Sequence, residues 1–509
     1  MTIREEQPAA GPAASDRRWP ALVVCLIAGF MTLLDISIVN VALPAIRTGL
    51  GMSDSGLQWV LSGYALTFGL ALVPCGRLGD ARSRRAVFIT GLALFTVTSA
   101  LAGASRGEAW LVVARLLQGV AGGMLVPQVS GFIQQLFRGA ERGRAFGLLG
   151  ATIGLSTAVG PLLGGLLIEA FGAEQGWRWV FYVNLPIGLL TLPLARRLLP
   201  GPPPRQPGAP PRGRGDFDPV GVLLLGAGIV LLLLPLVEQQ QWHGDAKWLL
   251  LPVAAVLLAG FVGWERRYAR RGEPLVSMSL FAAHSYTLGI VLSLSYFAGF
   301  TAIFFIFTLY LQSGLHYSAL AAGLAITPFA IGSGVAAAVG GRVVNRFGRP
   351  LVVVGLGLVV LGLSGAALAV HFWSGPSVGW TTLAPLLVAG IGSGLVIAPN
   401  QTLTLSEVPV ARAGSAGGVL QTAQRIGSAV GVAAVGSVFF SSVAAHGDDW
   451  AGAFLWGLGL AVGFVLLALV AALVDVVRCG PGRRSGPGRP PGAGDGSGPG
   501  RVAVEEHRG

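Results

Sequence analysis

Apolar residues run along this chain in stretches long enough to cross ~30 Å of hydrocarbon, and each stretch is stopped by a cluster of charged or turn-forming residues. Cut at those interruptions, the sequence predicts fourteen membrane-spanning helices. The first six cover roughly 21–43, 56–76, 86–104, 109–131, 144–170 and 178–199. Two more, roughly 219–237 and 247–264, follow a Pro/Gly/Arg linker over 200–218 that contains GPPPRQPGAPPRGRG. After a loop over 265–283 come the last six, roughly 284–311, 318–340, 351–371, 380–404, 413–441 and 451–476. The expected division is a lead over 1–20, a six-helix group over 21–199, the linker, an extra helix pair over 219–264, the loop, a second six-helix group over 284–477, and a tail over 478–509.

Composition points the same way, to an all-α polytopic membrane protein: 53% hydrophobic and 11% charged residues, with a mean hydropathy of +0.69, do not describe a soluble chain of 509 residues. Loop charge then gives an orientation, because cytoplasmic loops hold an excess of Lys and Arg. With the first residues placed inside, 29 of the 35 basic residues fall into cytoplasmic segments. Arg77, Arg82, Arg84 and Arg85 share one loop, Arg138, Arg142 and Arg144 the next, and Arg266, Arg267, Arg270 and Arg271 a later one. Only Arg47, Arg106, Arg178 and Lys247 fall outside, and one helix more or fewer would scramble the alternation downstream. Both termini are thus expected in the cytoplasm. The net charge of +12 is topological, and arginines dispersed among short loops give no basic element for nucleic acid.

The opening MTIREEQPAAGPAASDRRWP is polar and acid-containing ahead of a full-length span, so the first helix is expected to remain in the mature protein. The Gly/Pro/Arg tail has too few apolar residues to fold and is expected to be disordered. Cys25, Cys75 and Cys479 form no disulfide framework and no metal-ligand spacing. A P-loop needs Gly-Lys-Ser/Thr, and the one lysine, Lys247, is followed by Trp248, so ATP hydrolysis by that route is excluded. The scattered histidines and the lack of a nucleophile-elbow pattern leave an enzyme reading without support. Transport that is passive or coupled to an ion gradient remains, with no cofactor called for and no obligatory protein partner evident. The partners expected are a small-molecule substrate, protons and the lipid bilayer.

One carboxylate, Asp35, interrupts the first apolar stretch. An ionisable group near the bilayer centre costs ~2.5–3.5 kcal/mol on insertion scales and marks a functional site by default. Asp35 lies about three residues past its helix midpoint, ~4.5 Å outward, and Arg115 about five residues before the midpoint of an oppositely directed helix, ~7.5 Å outward on the same side. The two charges share a depth. An internal repeat supplies the architecture: GRLGDARSRR from Gly76 pairs with GRVVNRFGRP from Gly341, and AFGLLGATIGLSTAVG from Ala145 pairs with AGGVLQTAQRIGSAVG from Ala416 at a separation of 271 residues. Two homologous six-helix bundles about an axis along the membrane normal, with substrate at their interface, is the major facilitator arrangement.

LDISIVNVALPAI from Leu34, GRLGDARSRR from Gly76, RLLQGVAGGMLVPQ from Arg115, STAVGPLLGG from Ser156 and WRWVFYVNLPIG from Trp177 together make the chain similar to the fourteen-helix drug:proton antiporter branch of the major facilitator superfamily. The resemblance implies export of small, often cationic or amphipathic compounds, antibiotics included, in exchange for protons. It implies that the first and fourth helices line the cavity, which puts Asp35 and Arg115 on one aqueous or semi-aqueous surface, with Asp35 as the proton site and Arg115 its modulator. Arg115 tying helices together through backbone carbonyls is the alternative.

GRLGDARSRR resembles the family's gating motif, with Gly76, Asp80, Arg84 and Arg85 as its working residues; Ala81 and Ser83 depart from it, and the second copy has Asn345 in place of the acid. Asp80 is suited to accept bonds from helix N-terminal amides and to hold an Arg. STAVGPLLGG resembles the antiporter signature, where Gly160, Pro161, Gly164 and Gly165 allow close helix approach and a bend. Candidate cavity-lining residues are Asn40, Gln118, Gln421, Gln424 and Arg425. Three placements stay open for Arg425: facing Asp35 across the cavity, meeting an anionic substrate group, or bonding backbone carbonyls. Asn184 and Asn400 read as packing or capping residues, while Phe304, Phe305, Phe307 and Tyr310 either line a drug cavity, face lipid or join the core. The alternative to an exporter is a facilitator-fold importer or uniporter of a metabolite.

Overall fold

In the computed structural model the described residues are 17–172, 174–201, 218–237, 242, 244–447 and 449–478. Most of the lead, the body of the linker and the tail with Cys479 lie outside them.

Helices form where the sequence predicts apolar runs, and the first outlasts its run at both ends. The first, α1 (Arg18–Leu50), runs past the apolar run predicted for it and ends at Gly51, which takes the left-handed conformation (φ 61°) that a residue without Cβ adopts freely. Ser53 then caps α2 (Asp54–Leu78), its hydroxyl accepting from the Gly56 amide. α2 and α3 (Arg84–Gly103) form one apolar helical run of 49 residues, ~73 Å of helix and too long for a single crossing. The chain reverses after the π-helical segment Gly79–Ser83, whose last residue, Ser83, is extended and caps α3 by accepting from the Ala86 amide. The departure at Ser83 is thus a helix cap.

α4 (Glu108–Leu136), α5 (Gly139–Phe171) and α6 (Gly176–Leu198, interrupted at Val183) complete the first group. The extra pair is α7 (Pro219–Val237) and α8 (Leu250–Tyr268). The second group is α9 (His284–Leu309), α10 (Ala319–Phe347), α11 (Arg349–Phe372), α12 (Leu383–Thr404), α13 (Ala413–His446) and α14 (Trp450–Arg478). With the 49-residue run divided in two, the thirteen long apolar helical runs among the described residues make fourteen spans. No strand occurs among those residues.

Each six-helix group has its own apolar core. Leu356, Leu363, Phe439 and Val465 lie in that of the second, Phe88, Phe95, Phe132 and Phe146 in that of the first. The outward surface is also apolar, with Leu223, Val256 and Trp456 each about 70% exposed, as lipid-facing residues are. The groups meet along two related seams, α5 against α10 and α2 against α13. Small residues bring the backbones together there: a Cβ on Gly76 would lie 2.4 Å from the Gly414 carbonyl oxygen, and one on Gly143 2.5 Å from that of Gly341. Gly143 and Gly414 are themselves 271 residues apart, so the sequence repeat reappears as a repeated contact. α7 rests on α2 and α13, closing one of the two seams from outside.

Candidate functional site

Asp35 is held at the centre of the first group by three helices. Arg115 Nη1 on α4 donates to Asp35 Oδ2 at 2.6 Å, while Gln118 Nε2 and Asn184 Nδ2 donate to Oδ1 at 2.9 and 3.0 Å. Gln118 follows Arg115 by three residues, so both project from one face of α4. Arg115 Nη1 also donates to Gln118 Oε1 at 2.8 Å and its Nε to the Val60 carbonyl of α2 at 3.0 Å, while Gln118 Nε2 reaches Ser99 Oγ of α3 at 2.8 Å. The guanidinium carbon lies 4.2 Å from the Tyr64 ring centroid and 5.8 Å from that of Phe181.

The geometry bears on four expectations. The shared depth of Asp35 and Arg115 becomes contact. The shared aqueous surface is corrected: Asp35 is 0% and Arg115 1% exposed, and only Arg115 borders the cavity. Gln118, expected at the cavity wall, is fully buried in the same network, because the turn of α4 that carries Arg115 inward carries Gln118 with it. Asn184, read as a packing residue, is a ligand of the carboxylate. It opens the second part of α6 just past the break at Val183, and an Asn in the interrupted WRWVFYVNLPIG segment was the available signal.

A cavity lies between the groups. One lobe of about 350 Å³ is bounded by α2, α7 and α13, and another of about 470 Å³ by α1, α5, α9 and α13; Ile36, Asn40, Thr301, Arg425 and Ser428 border both. Leu233 and Leu236 of α7 wall the first lobe, so the extra pair contributes directly to the cavity. Gln421 and Gln424 border a smaller recess beneath it with Gln401. Phe304 lines the second lobe and Phe305 an outer vestibule with Gln58, Phe440 and Ser441, while Phe307 and Tyr310 are buried in the core. Among the described residues the walls of all these spaces carry no Asp, Glu, Lys or His.

Away from the vestibule, at the arginine-rich face, the two groups are joined. Asp80 Oδ1 accepts from the Gly414 amide at 3.0 Å and Oδ2 from the Ser415 amide at 2.8 Å, so the acid of the first group sits on the N-terminus of α13 in the second. Arg84 Nη2 donates to Asp80 Oδ1 at 2.7 Å and also to the Val410 carbonyl. Burial raises the Asp80 carboxyl above its ordinary value, against the opposing pull of the Arg84 guanidinium and the two amides. Arg85 stands apart from this contact and bonds the Arg196 carbonyl at the end of α6.

In the fifth-helix motif, Cβ atoms on Gly160 and Gly164 would lie 2.5 and 2.9 Å from Ser37 and Ile38 of α1, so these glycines set that seam, and Pro161 borders the cavity. Gly165 is corrected: it faces open space and brings no helix near, being one residue round the helix from Gly164.

A second buried ion pair was missed. Arg349 Nε lies 2.5 Å from Asp475 Oδ2, and the same guanidinium reaches Asn400 and Ser285. Asp475 stands at the predicted end of the last span, where an acid reads as a boundary rather than as an interior group. Asn400 also donates to Ser293 Oγ and the Gly289 carbonyl, so it ties α9 to α11 and α12.

Residues 25–432 match the sequence profile of the Major Facilitator Superfamily. A probable actinorhodin transporter of Streptomyces coelicolor is 39% identical over 87% of this chain and 77% of its own length. A puromycin resistance protein of Streptomyces alboniger is 36% identical over 92% and 93%. The solved structure of a proton:xylose symporter of the same superfamily superposes with a TM-score of 0.63 at 16% identity, covering 91% of this chain and 96% of that one. Two related six-helix bundles and an extra apolar pair among the described residues, a cavity between the bundles and a match over most of the chain lead to one statement: this protein belongs to the Major Facilitator Superfamily and is a membrane transporter.

Proposed function

We propose that the protein exports drugs, antibiotics or related small amphipathic compounds across the cytoplasmic membrane by alternating access, in exchange for protons. Relatives named for actinorhodin transport and puromycin resistance support the export reading. The arginine-rich face is taken as cytoplasmic, with both termini on that side. The conformation described above is then closed inward and open outward.

The observation that carries the coupling is the buried carboxylate with three N–H donors. A proton on Asp35 would turn one accepting oxygen into a donor facing a donor, so loading requires Arg115 or an amide to let go. Arginine stays protonated and cannot be the carrier. A shift of α4 against α1 within the first group, coupled to rocking of the groups about the α2–α13 and α5–α10 seams, would move Arg115 relative to Asp35 and expose the carboxylate to one side at a time. In this reading Asp80 and Arg84 latch the cytoplasmic side.

Everted vesicles test it by reporting uptake of a fluorescent drug under an imposed pH gradient. Wild type should respond to the gradient and lose that response to a protonophore. Asp35→Asn should abolish gradient-driven uptake with the protein still folded in the membrane. Full gradient-driven uptake by that variant would sink the assignment.

A further inference from the structure

One cation bordering the cavity has no counter-charge. Among the described residues Arg425 forms no ion pair, and its Nε is shielded from solvent without a hydrogen-bond partner. Its guanidinium carbon lies 4.7 Å from the Phe68 ring centroid, so an aromatic face holds the group in place without neutralising it. Two placements left open by the sequence are not realised. Asp35 is buried and bonded to Arg115, Gln118 and Asn184, and among the described residues Arg425 caps no carbonyl.

The surroundings suit a ligand that supplies the missing charge. Arg425 borders both lobes and the recess beneath them. Ser428, three residues on along α13, shares a hydrogen bond of 2.8 Å with Thr301 of α9, and both border the two lobes beside Arg425. Among the described residues no carboxylate lines the cavity, so an organic cation would meet a guanidinium and none of them to balance it. A planar guanidinium matches a carboxylate by two parallel N–H···O bonds. Phe297, Phe300 and Phe304 line the second lobe and offer ring faces to an aromatic scaffold.

We propose that the cavity selects organic anions, planar aromatic compounds bearing a carboxylate or an ionised phenol, with Arg425 as the residue that sets this specificity. The inference rests on the exporter reading and narrows its cargo, away from the cationic compounds that family resemblance alone suggests.

Equilibrium binding to the purified full-length protein in detergent tests it with three probes of one shape: anthraquinone-2-carboxylate, its methyl ester, and 2-(aminomethyl)anthraquinone. Wild type should bind the carboxylate about tenfold or more tightly than the ester or the amine. Arg425→Gln should lose that preference while keeping ester affinity within about twofold, Arg425→Lys should keep part of it, and Arg425→Glu should reverse it in favour of the amine. Equal affinities in wild type, no carboxylate binding, tighter binding of the amine, or a preference that survives Arg425→Gln would each overturn the proposal. Binding in detergent needs no gradient, so this result stands apart from the Asp35→Asn transport test.

Discussion

Arg115 shows what one side chain is asked to do in the dry interior of a bundle. Its guanidinium pairs with Asp35, orders Gln118 and reaches a carbonyl of α2, so the contact with the carboxylate and the tie between helices occur in one side chain. Removing one partner of a buried ion pair costs about 3–5 kcal/mol, because the other charge is left uncompensated. Arg115→Gln is therefore expected to lower the thermal unfolding midpoint in detergent clearly, and Arg115→Gln with Asp35→Asn to recover most of the loss, since two neutral amides can hydrogen-bond each other. Equal destabilisation in the single and double variants would instead assign the loss to the Val60 carbonyl contact. The contact of Asp35 with Arg115 was legible from depth alone; Asn184 was not, because its reach to Asp35 depends on where the break in α6 sets the helix against α1.

Glycines decide how close the helices come. Gly160 and Gly164 face α1 at distances that leave no room for a side chain, whereas Gly165, the next residue in the same motif, faces open space. A leucine at position 164 has to displace Ile38 or push α1 and α5 apart, and overpacking of this kind typically costs about 1–3 kcal/mol. Gly164→Leu is expected to reduce folded yield and transport, and Gly165→Leu to leave both near wild type, as read by size-exclusion profile and vesicle uptake. Similar losses in both would mean that the motif acts through backbone flexibility rather than through the α1–α5 seam. Helix number and approximate bounds were readable because an apolar run of bilayer length is a strong local signal, and the reversal at Gly79–Ser83 followed from the same length argument. Which motif glycine meets a neighbour was not readable, since that depends on the rotation of α5 about its own axis.

Across the whole molecule, Asp80 joins the two groups at the arginine-rich face. Its two oxygens accept from the first amides of α13, and Arg84 bridges the same junction. Hydrogen bonds to a charged group contribute about 1.5–3 kcal/mol each, so losing even one shifts a two-state equilibrium about tenfold or more. Asp80→Asn, which keeps the shape but gives up the charge and one acceptor, should raise the fraction opened at that face. Spin labels at the exposed positions 138 and 407 would report this as a larger long-distance population, and an unchanged distribution would remove Asp80 from the latch. The second copy of the motif, with Asn345, meets α5 at Gly143 in the related seam but brings no acid to it.

The sequence by itself determined what short-range physics controls. Fourteen spans, the alternation of their charged ends, the doubled six-helix pattern and an acid and an arginine at one depth all follow from run length, loop charge and residue spacing. The tertiary structure alone decided which groups are wet and which are dry: Asp35 and Gln118 sealed within a bundle, Arg425 uncompensated at the cavity, Asp475 paired with Arg349, and α7 forming a wall of the binding space. Each depends on how one helix is turned and set against another, and that is fixed by contacts between residues tens to hundreds of positions apart, which no local pattern records.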